Sequence, residues 1–216
     1  MERNFDNIYS KRFGYFNLHV IKGEDGDVLI DTGFIFMKNK IKRWLSKFDI
    51  KMVILTHGHV DHIWNANYIK DLYDCKIAMS EVEVSNINNS KATSQPMKKK
   101  YVKWTKLMNF GMKKFNPKDI DVDVLLHNNQ IIDKYGLNLK IIDLPGHTIG
   151  SIGVLYKNYL FVGDSMVNRK KCPGVAYQNQ SNAAAVMSYD KIVNMNPKIV
   201  FVGHDREVRL EKLING

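Results

Sequence analysis

The 216-residue sequence has two cysteines, five prolines and no apolar run approaching the roughly 20 residues that cross a bilayer. Cys75 and Cys172 make no disulfide framework, so the expected compartment is the reducing cytoplasm. The start, Met1-Glu2-Arg3-Asn4-Phe5-Asp6, is polar, and no apolar stretch of a secretory leader follows it. No low-complexity linker and no exact internal repeat interrupts the chain, which makes one domain over 1–216 the simplest division. Acidic residues are the scarcer charge: 22 Asp and Glu stand against 32 Lys and Arg, for a formal net charge of +10. Hydrophobic content, at 44%, is enough to bury a core without crosslinks.

The most informative segment is Thr56-His57-Gly58-His59-Val60-Asp61-His62, directly after the apolar run Met52-Val53-Ile54-Leu55. A strand would send neighbouring side chains to opposite faces, and a helix would group only i with i+3 or i+4. A loop leading from a strand into a helix gathers all four. Neutral imidazole nitrogens and carboxylate oxygens suit Zn, Fe, Mn or Co. Three more candidate ligands each follow a strand-like run and a glycine: His147 after Ile141 to Gly146, Asp164 after Tyr159 to Gly163, and His204 after Lys198 to Gly203. Glycine permits the tight backbone such strand ends need. A His-rich surface turn explains the first cluster alone, but not the three later placements. His19 and His127 match no metal motif and are expected to be structural or on the surface.

The wider pattern reads as α/β. Residues 20–22 and 28–30 flank a hairpin turn at 23–26. Residues 41–48 carry a helical stripe, 51–55 return as a strand, 63–72 read as a helix and 77–79 as a strand. Ser80-Glu81-Val82-Glu83 is a capping-box signal for a following helix. Strands are predicted at 122–126, 139–144, 152–156 and 160–162, with a turn at Lys157-Asn158. A helix over 183–195 stops before Pro197, and a last strand covers 198–202. Strands in both halves with helices outside predict a four-layered αββα sandwich.

Asp31-Thr32-Gly33, the His57 to His62 cluster, Pro145-Gly146-His147-Thr148, Gly163-Asp164 and Gly203-His204 occur in the order found in the metallo-β-lactamase superfamily. The chain resembles most closely the hydrolase branch that includes short glyoxalase II-like proteins. The resemblance implies the same αββα fold and two divalent transition-metal ions, zinc first and iron or manganese as alternatives. It implies that His57, His59 and His147 bind one ion, that Asp61, His62 and His204 bind the other, and that Asp164 bridges them. Asp61 and Asp164 are the expected catalytic carboxylates. Asp31 is expected to orient a ligand histidine without binding metal, or else to fix the Thr32-Gly33 bend.

In that family a shared water becomes hydroxide and attacks an acyl or phosphoryl centre. The expected activity is hydrolysis of a small thioester, ester or lactone. The alternatives are a phosphodiesterase or nuclease, a mononuclear-iron sulfur oxygenase, or a metal-binding protein without turnover. Three departures blur the substrate. Ile63-Trp64-Asn65 stands where many relatives have glycines, and Val167 stands where quorum-quenching lactonases have tyrosine. The loop 168–174 does not match the thioester-binding loop of glyoxalase II.

Residues 85–120 are expected to form a helical insertion. Met97, Tyr101, Trp104, Leu107 and Met108 make one face, and Lys98, Lys99, Lys100, Lys103 and Lys106 fill the other. The expected role is a pocket wall, with Tyr101 or Trp104 turned inward and the lysines in solvent. A nucleic acid, an anionic surface or an oligomer contact is the less favoured reading of this face.

Overall fold

The computed structural model describes residues 2–88, 94–103, 105–106, 109–110 and 119–210. Strands β1 (Glu2–Phe5), β2 (Ile8–Phe13), β3 (Phe16–Lys22) and β4 (Asp27–Ile30) form an antiparallel run. Helix α1 (Lys38–Leu45) leads to β5 (Ile50–Leu55), and α2 (Val60–Ile63) and α3 (Ala66–Tyr73) lead to β6 (Lys76–Ser80). Helix α4 (Glu81–Asn88) and the short β7 (Gln95–Pro96) precede β8 (Val124–Leu126). The first sheet runs β1-β2-β3-β4-β5-β6-β8, and its pairs from β4 onward are parallel.

The second half contributes β9 (Ile131–Lys134), β10 (Leu137–Asp143), β11 (Ile152–Tyr156) and β12 (Tyr159–Phe161). The hairpin β13 (Val167–Arg169) and β14 (Cys172–Gly174) follows, then β15 (Gln178–Asn179), α5 (Asn182–Met195) and β16 (Ile199–Phe201). The second sheet is ordered β16-β12-β11-β10-β9, and β15 pairs with β7.

Side-chain alternation explains the layers. On β5, Met52 and Ile54 face Ile141, Val154, Phe161 and Phe201 of the opposite sheet. Val53 and Leu55 face outward and pack with Ile41, Trp44 and Leu45 of α1 and Ile69 of α3. Val200 and Leu160 point out of the second sheet onto Ile192 of α5. These contacts make the four-layered αββα sandwich that the sequence predicts. Ser181 caps α5 by accepting from the Ala184 N–H at 3.3 Å, and left-handed Asn196 ends it ahead of Pro197.

His19 is buried between Phe161 and Phe201, at centroid distances of 5.3 and 5.1 Å, as a structural histidine. His127 is on the surface beside Glu81. Cys75 is buried and Cys172 is exposed. No helix among the described residues is long and apolar enough to cross a membrane.

One expectation needs correction. The stripe beginning at Met97 is not one continuous helix: Lys98 is extended, a 3-10 turn covers Lys99–Tyr101, and helical residues begin at Val102. The Met97 N–H instead donates to Tyr177 O at 2.7 Å, which extends the β7–β15 pairing and leaves that end of the stripe extended. Lys98, Lys99, Lys100 and Lys103 are exposed, and Tyr101 lines the cavity described below. Trp104, Leu107 and Met108 lie outside the described residues.

Candidate metal centre

All seven predicted ligands come from loops at the C-terminal ends of strands. His57 follows β5, and a single helical turn, α2, brings round Asp61 and His62. His147 follows β10, Asp164 follows β12 and His204 follows β16. Backbone bonds tie these loops together: Ile152 N–H to Thr56 O at 2.9 Å, Gly203 N–H to Gly163 O at 2.7 Å, and Thr32 N–H to His62 O at 2.7 Å. Strand ends from both sheets therefore converge on one point.

The ligand atoms fall into three overlapping triads, each within 4.8 Å: His57, His59 and His147; His57, His62 and Asp164; and Asp61, His62 and His204. Asp164 faces both ends of the cluster. Its Oδ2 is 3.5 Å from His147 Nε2 and 3.1 Å from His204 Nε2, and its Oδ1 is 3.6 Å from His62 Nε2. Asp61 Oδ2 is 3.4 Å from His204 Nε2.

Most of the histidines are oriented through the nitrogen turned away from the cluster. His62 Nδ1–H donates to Asp31 Oδ2 at 2.8 Å. His57 Nδ1 is 3.1 Å from Thr56 Oγ1, and that hydroxyl donates to Asp31 at 2.9 Å. His147 Nδ1–H donates to Gln178 O at 3.0 Å, and His204 Nδ1–H to Tyr15 O at 2.9 Å. Such bonds fix ring orientation and leave Nε2 facing inward. His59 differs, presenting Nδ1 to His147 Nε2 at 2.9 Å. Asp31 thus holds one histidine directly and a second through Thr56, which is more than a turn residue does.

The residues fit divalent cations on two observations. His57 Nε2, His62 Nε2 and Asp164 Oδ1 are buried without a hydrogen-bond partner, and a buried orphan is costly unless something else satisfies it. The charge pattern agrees. Burial holds His57 and His59 well below the usual imidazole range, and it lowers His147, so these rings are neutral and able to coordinate. Burial also opposes charge on His62 and His204, yet the carboxylates outweigh it. Asp31, Asp61 and Asp164 raise His62 to about 9, and Asp164 and Asp61 raise His204 to about 10. Asp164 lies well below the usual carboxylate range: burial pushes it up, but His204 and His62 pull it down further. The carboxylates draw positive charge to this point.

Sequence reading missed Glu83. It reads as a capping-box partner, and α4 does begin after Ser80, but the buried carboxylate turns the other way. It accepts from Gly58 N–H at 2.8 Å, Thr148 Oγ1–H at 2.8 Å and Gly150 N–H at 3.0 Å. Glu83 therefore clamps the loop carrying His57 and His59 to the loop carrying His147. Thr148 and Ser151 brace the second loop through a 2.8 Å contact between their hydroxyls. Burial raises the Glu83 carboxyl above its ordinary range, against the pull of these donors. Glu83→Ala leaves buried donors unsatisfied, at a cost of about 1–3 kcal/mol for each. We expect a lower melting temperature together with weaker metal retention, read by thermal unfolding and by chelator competition. Loss of stability with metal retention unchanged would separate Glu83 from the site.

Tyr15 was missed too. It stacks on His204 at 5.6 Å, and its phenol is pushed up to about 12 by burial and by Asp61 and Asp164. Trp64 packs edge-on against Phe34 at 4.9 Å and is not among the residues that line the cavity. The cluster opens into a cavity of about 710 Å³.

A sequence profile of the metallo-β-lactamase superfamily matches residues 13–204. The probable metallo-hydrolase MJ0888 of Methanocaldococcus jannaschii is 31% identical over 159 residues, spanning 71% of this chain and 69% of that protein. The probable metallo-hydrolase MJ0296 of the same organism is 30% identical over 196 residues, spanning 87% of this chain and 75% of its own length. In three dimensions, the metallo-β-lactamase family protein TTHA1429 of Thermus thermophilus superposes with a TM-score of 0.70 at 17% identity, covering 97% of this chain and 78% of that one. With its candidate ligand residues gathered at the strand ends of an αββα sandwich, the chain belongs to the metallo-β-lactamase superfamily.

Proposed function

We propose that this protein is a hydrolase with two divalent metal ions, zinc first, that cleaves a small thioester, ester or lactone. The observation that carries the reading is the pair of donor triads joined by Asp164, with orphaned nitrogens turned into the gap between them. Names of relatives such as MJ0888 support hydrolysis as the reaction class. The closer likeness to short glyoxalase II-like proteins belongs to this proposal. So do the assignment of one domain to 1–216 and of the cytoplasm as its compartment.

His57, His59 and His147 would hold one ion, and Asp61, His62 and His204 the other. Bound divalent cations supply Lewis acidity, lowering the pKa of water and polarising an electrophilic oxygen. The chain does the rest. Asp31 keeps His62 and His57 in the tautomers that present Nε2. Asp61 lines the cavity, where it would orient the attacking water. Asp164, which lines the cavity, would take up that water's proton and return it to the leaving group. The buried walls around His57 and His62 exclude bulk water, which strengthens each of these interactions.

A screen of metal-reconstituted protein against chromogenic thioesters, esters, lactones and bis-nitrophenyl phosphate tests the reading. Turnover of an acyl substrate is expected. Turnover of the phosphodiester alone moves the assignment to the phosphodiesterase class, and inactivity on the whole panel counts against hydrolysis.

A further inference from the structure

A second cavity, of about 520 Å³, lies between strands β1 and β2 and helix α1. None of the seven candidate metal ligands lines it, and among the described residues it shares only Arg12 with the cavity at the donor cluster. Lys11, Arg12, Lys40, Arg43 and Lys47 surround it, against one carboxylate, Glu2. We propose that this cavity binds a small anion carrying two phosphate groups, such as a sugar bisphosphate, at a site separate from the candidate metal centre.

Uncompensated charge is the first argument. Two of the cations are engaged within the protein. Burial pushes the Glu2 carboxyl up, but the Lys47 ammonium pairs with it and holds it below its ordinary range. Arg12 Nη2 is 3.7 Å from Asp205, and its Nε–H donates to Gly14 O at 2.8 Å. Among the described residues no carboxylate lies within ion-pair distance of Lys11, Lys40 or Arg43. Helix α1 carries Lys38, Lys40, Lys42 and Arg43 and no acid at all. Like charges three residues apart, as Lys40 and Arg43 are, destabilise a helix. Lys42 and Arg43, in the last turn, gain from the helix dipole, but Lys40 does not. An excess of positive charge around a concave site concentrates anions.

Preorganisation is the second argument. Lys11 Nζ is 5.4 Å from the centre of the Phe13 ring and 5.9 Å from that of Trp44. Lys47 Nζ is 5.4 Å from the Tyr9 ring and 5.1 Å from the Phe48 ring. Aromatic faces thus restrain two long side chains before a ligand arrives, which lowers the entropy lost on binding.

The shape of the cavity narrows the ligand class. Phe13 and Trp44 meet edge to face at 5.6 Å and line the cavity. They are only 4% and 3% exposed, so neither offers a face on which a base could stack. Recognition is therefore of charge. The volume is that of a small-molecule site. Lys11 stands on β2 and Lys40 and Arg43 on α1, so the free cations face a ligand from two elements, which suits phosphates at both ends of a small molecule better than one phosphate alone.

The test is calorimetry on metal-loaded protein with fructose 1,6-bisphosphate, inorganic phosphate and a single-stranded oligouridylate. The parent is expected to bind the bisphosphate most tightly, and added salt should weaken that binding. The Lys40→Gln/Arg43→Gln double variant and Lys11→Gln, from opposite sides of the cavity, should each weaken it about tenfold or more, the scale of a lost charge-assisted bond. Lys40 and Arg43 are exposed and Lys11 is half-buried, and matching melting temperature and metal content verify the fold of both variants. Bisphosphate bound as tightly by either variant as by the parent sits elsewhere, the metal centre included, and overturns the inference. So does a parent that binds no bisphosphate, or binds it no better than inorganic phosphate. Tighter binding of the oligouridylate, lost in both variants, would replace the small anion by a nucleic-acid backbone and equally overturn it. The measurement reads binding alone, so it stands whether or not the protein hydrolyses any ester.

Discussion

Asp164→Ala is expected to reduce kcat/KM by more than Asp31→Ala, whatever substrate the screen yields. Asp164 sets one oxygen toward His147 and His204 and the other toward His62, so its loss removes a donor from both ends of the cluster. Asp31 touches no inward-facing nitrogen and acts through His62 and Thr56. Losing an orienting partner of this kind typically costs about 10–100-fold, and Asp164→Ala should exceed that range. Asp31 has a second duty: it sits at φ +61° and accepts the Thr56 N–H at 2.8 Å, so Asp31→Ala should also lower the melting temperature. Asp31→Asn separates the two duties. Asn tolerates the left-handed backbone, but its amide cannot accept from both Thr56 and His62 as the carboxylate does. It should keep most of the stability and still lose metal affinity. Equal or reversed losses for the two alanine variants would place Asp31, not Asp164, at the centre of the chemistry.

Gly203→Ala should fold and fail. A Cβ at Gly203 would stand 2.3 Å from Asp164 Oδ1 and 2.7 Å from His62 Cε1, with Gly163 C at 3.3 Å. The backbone at Gly203 is not left-handed, so alanine brings no strain of its own. The crowding falls on the donor cluster. Displacing these groups by around an ångström is enough to cost about 10²-fold in turnover, and metal affinity should fall with it. Gly174→Ala is the control, because nothing lies within 4 Å of its added Cβ. Near-parental kcat/KM for Gly203→Ala would mean that Asp164 and His62 have room to move and are not held as a unit.

The convergence of the seven candidate donors was legible because metal chemistry restricts residue type, and because strand, glycine and candidate ligand recur together in the sequence. The sandwich was legible from alternation: Met52 and Ile54 face one layer and Val53 and Leu55 the other. What escaped depends on distance along the chain. Glu83 is a local cap signal until Gly58 and Gly150 arrive from 25 and 67 residues away to claim its carboxylate. Strands β1 and β2 escaped because Glu2–Phe5 and Ile8–Phe13 mix charged and apolar residues and gain strand character from pairing with β3. The stripe at 97–110 misled at its start because periodicity carries no information on the competing pairing of Met97 with Tyr177.

The central claim is that His57, His59 and His147 hold one cation, and Asp61, His62 and His204 another, with Asp164 between them. The most direct measurement is elemental analysis of reconstituted, extensively dialysed protein, for the parent and for His59→Ala and His204→Ala. The account predicts two transition-metal ions per chain in the parent and the loss of about one in each variant. One ion or none in the parent, or both ions retained when His59 or His204 is removed, would contradict it.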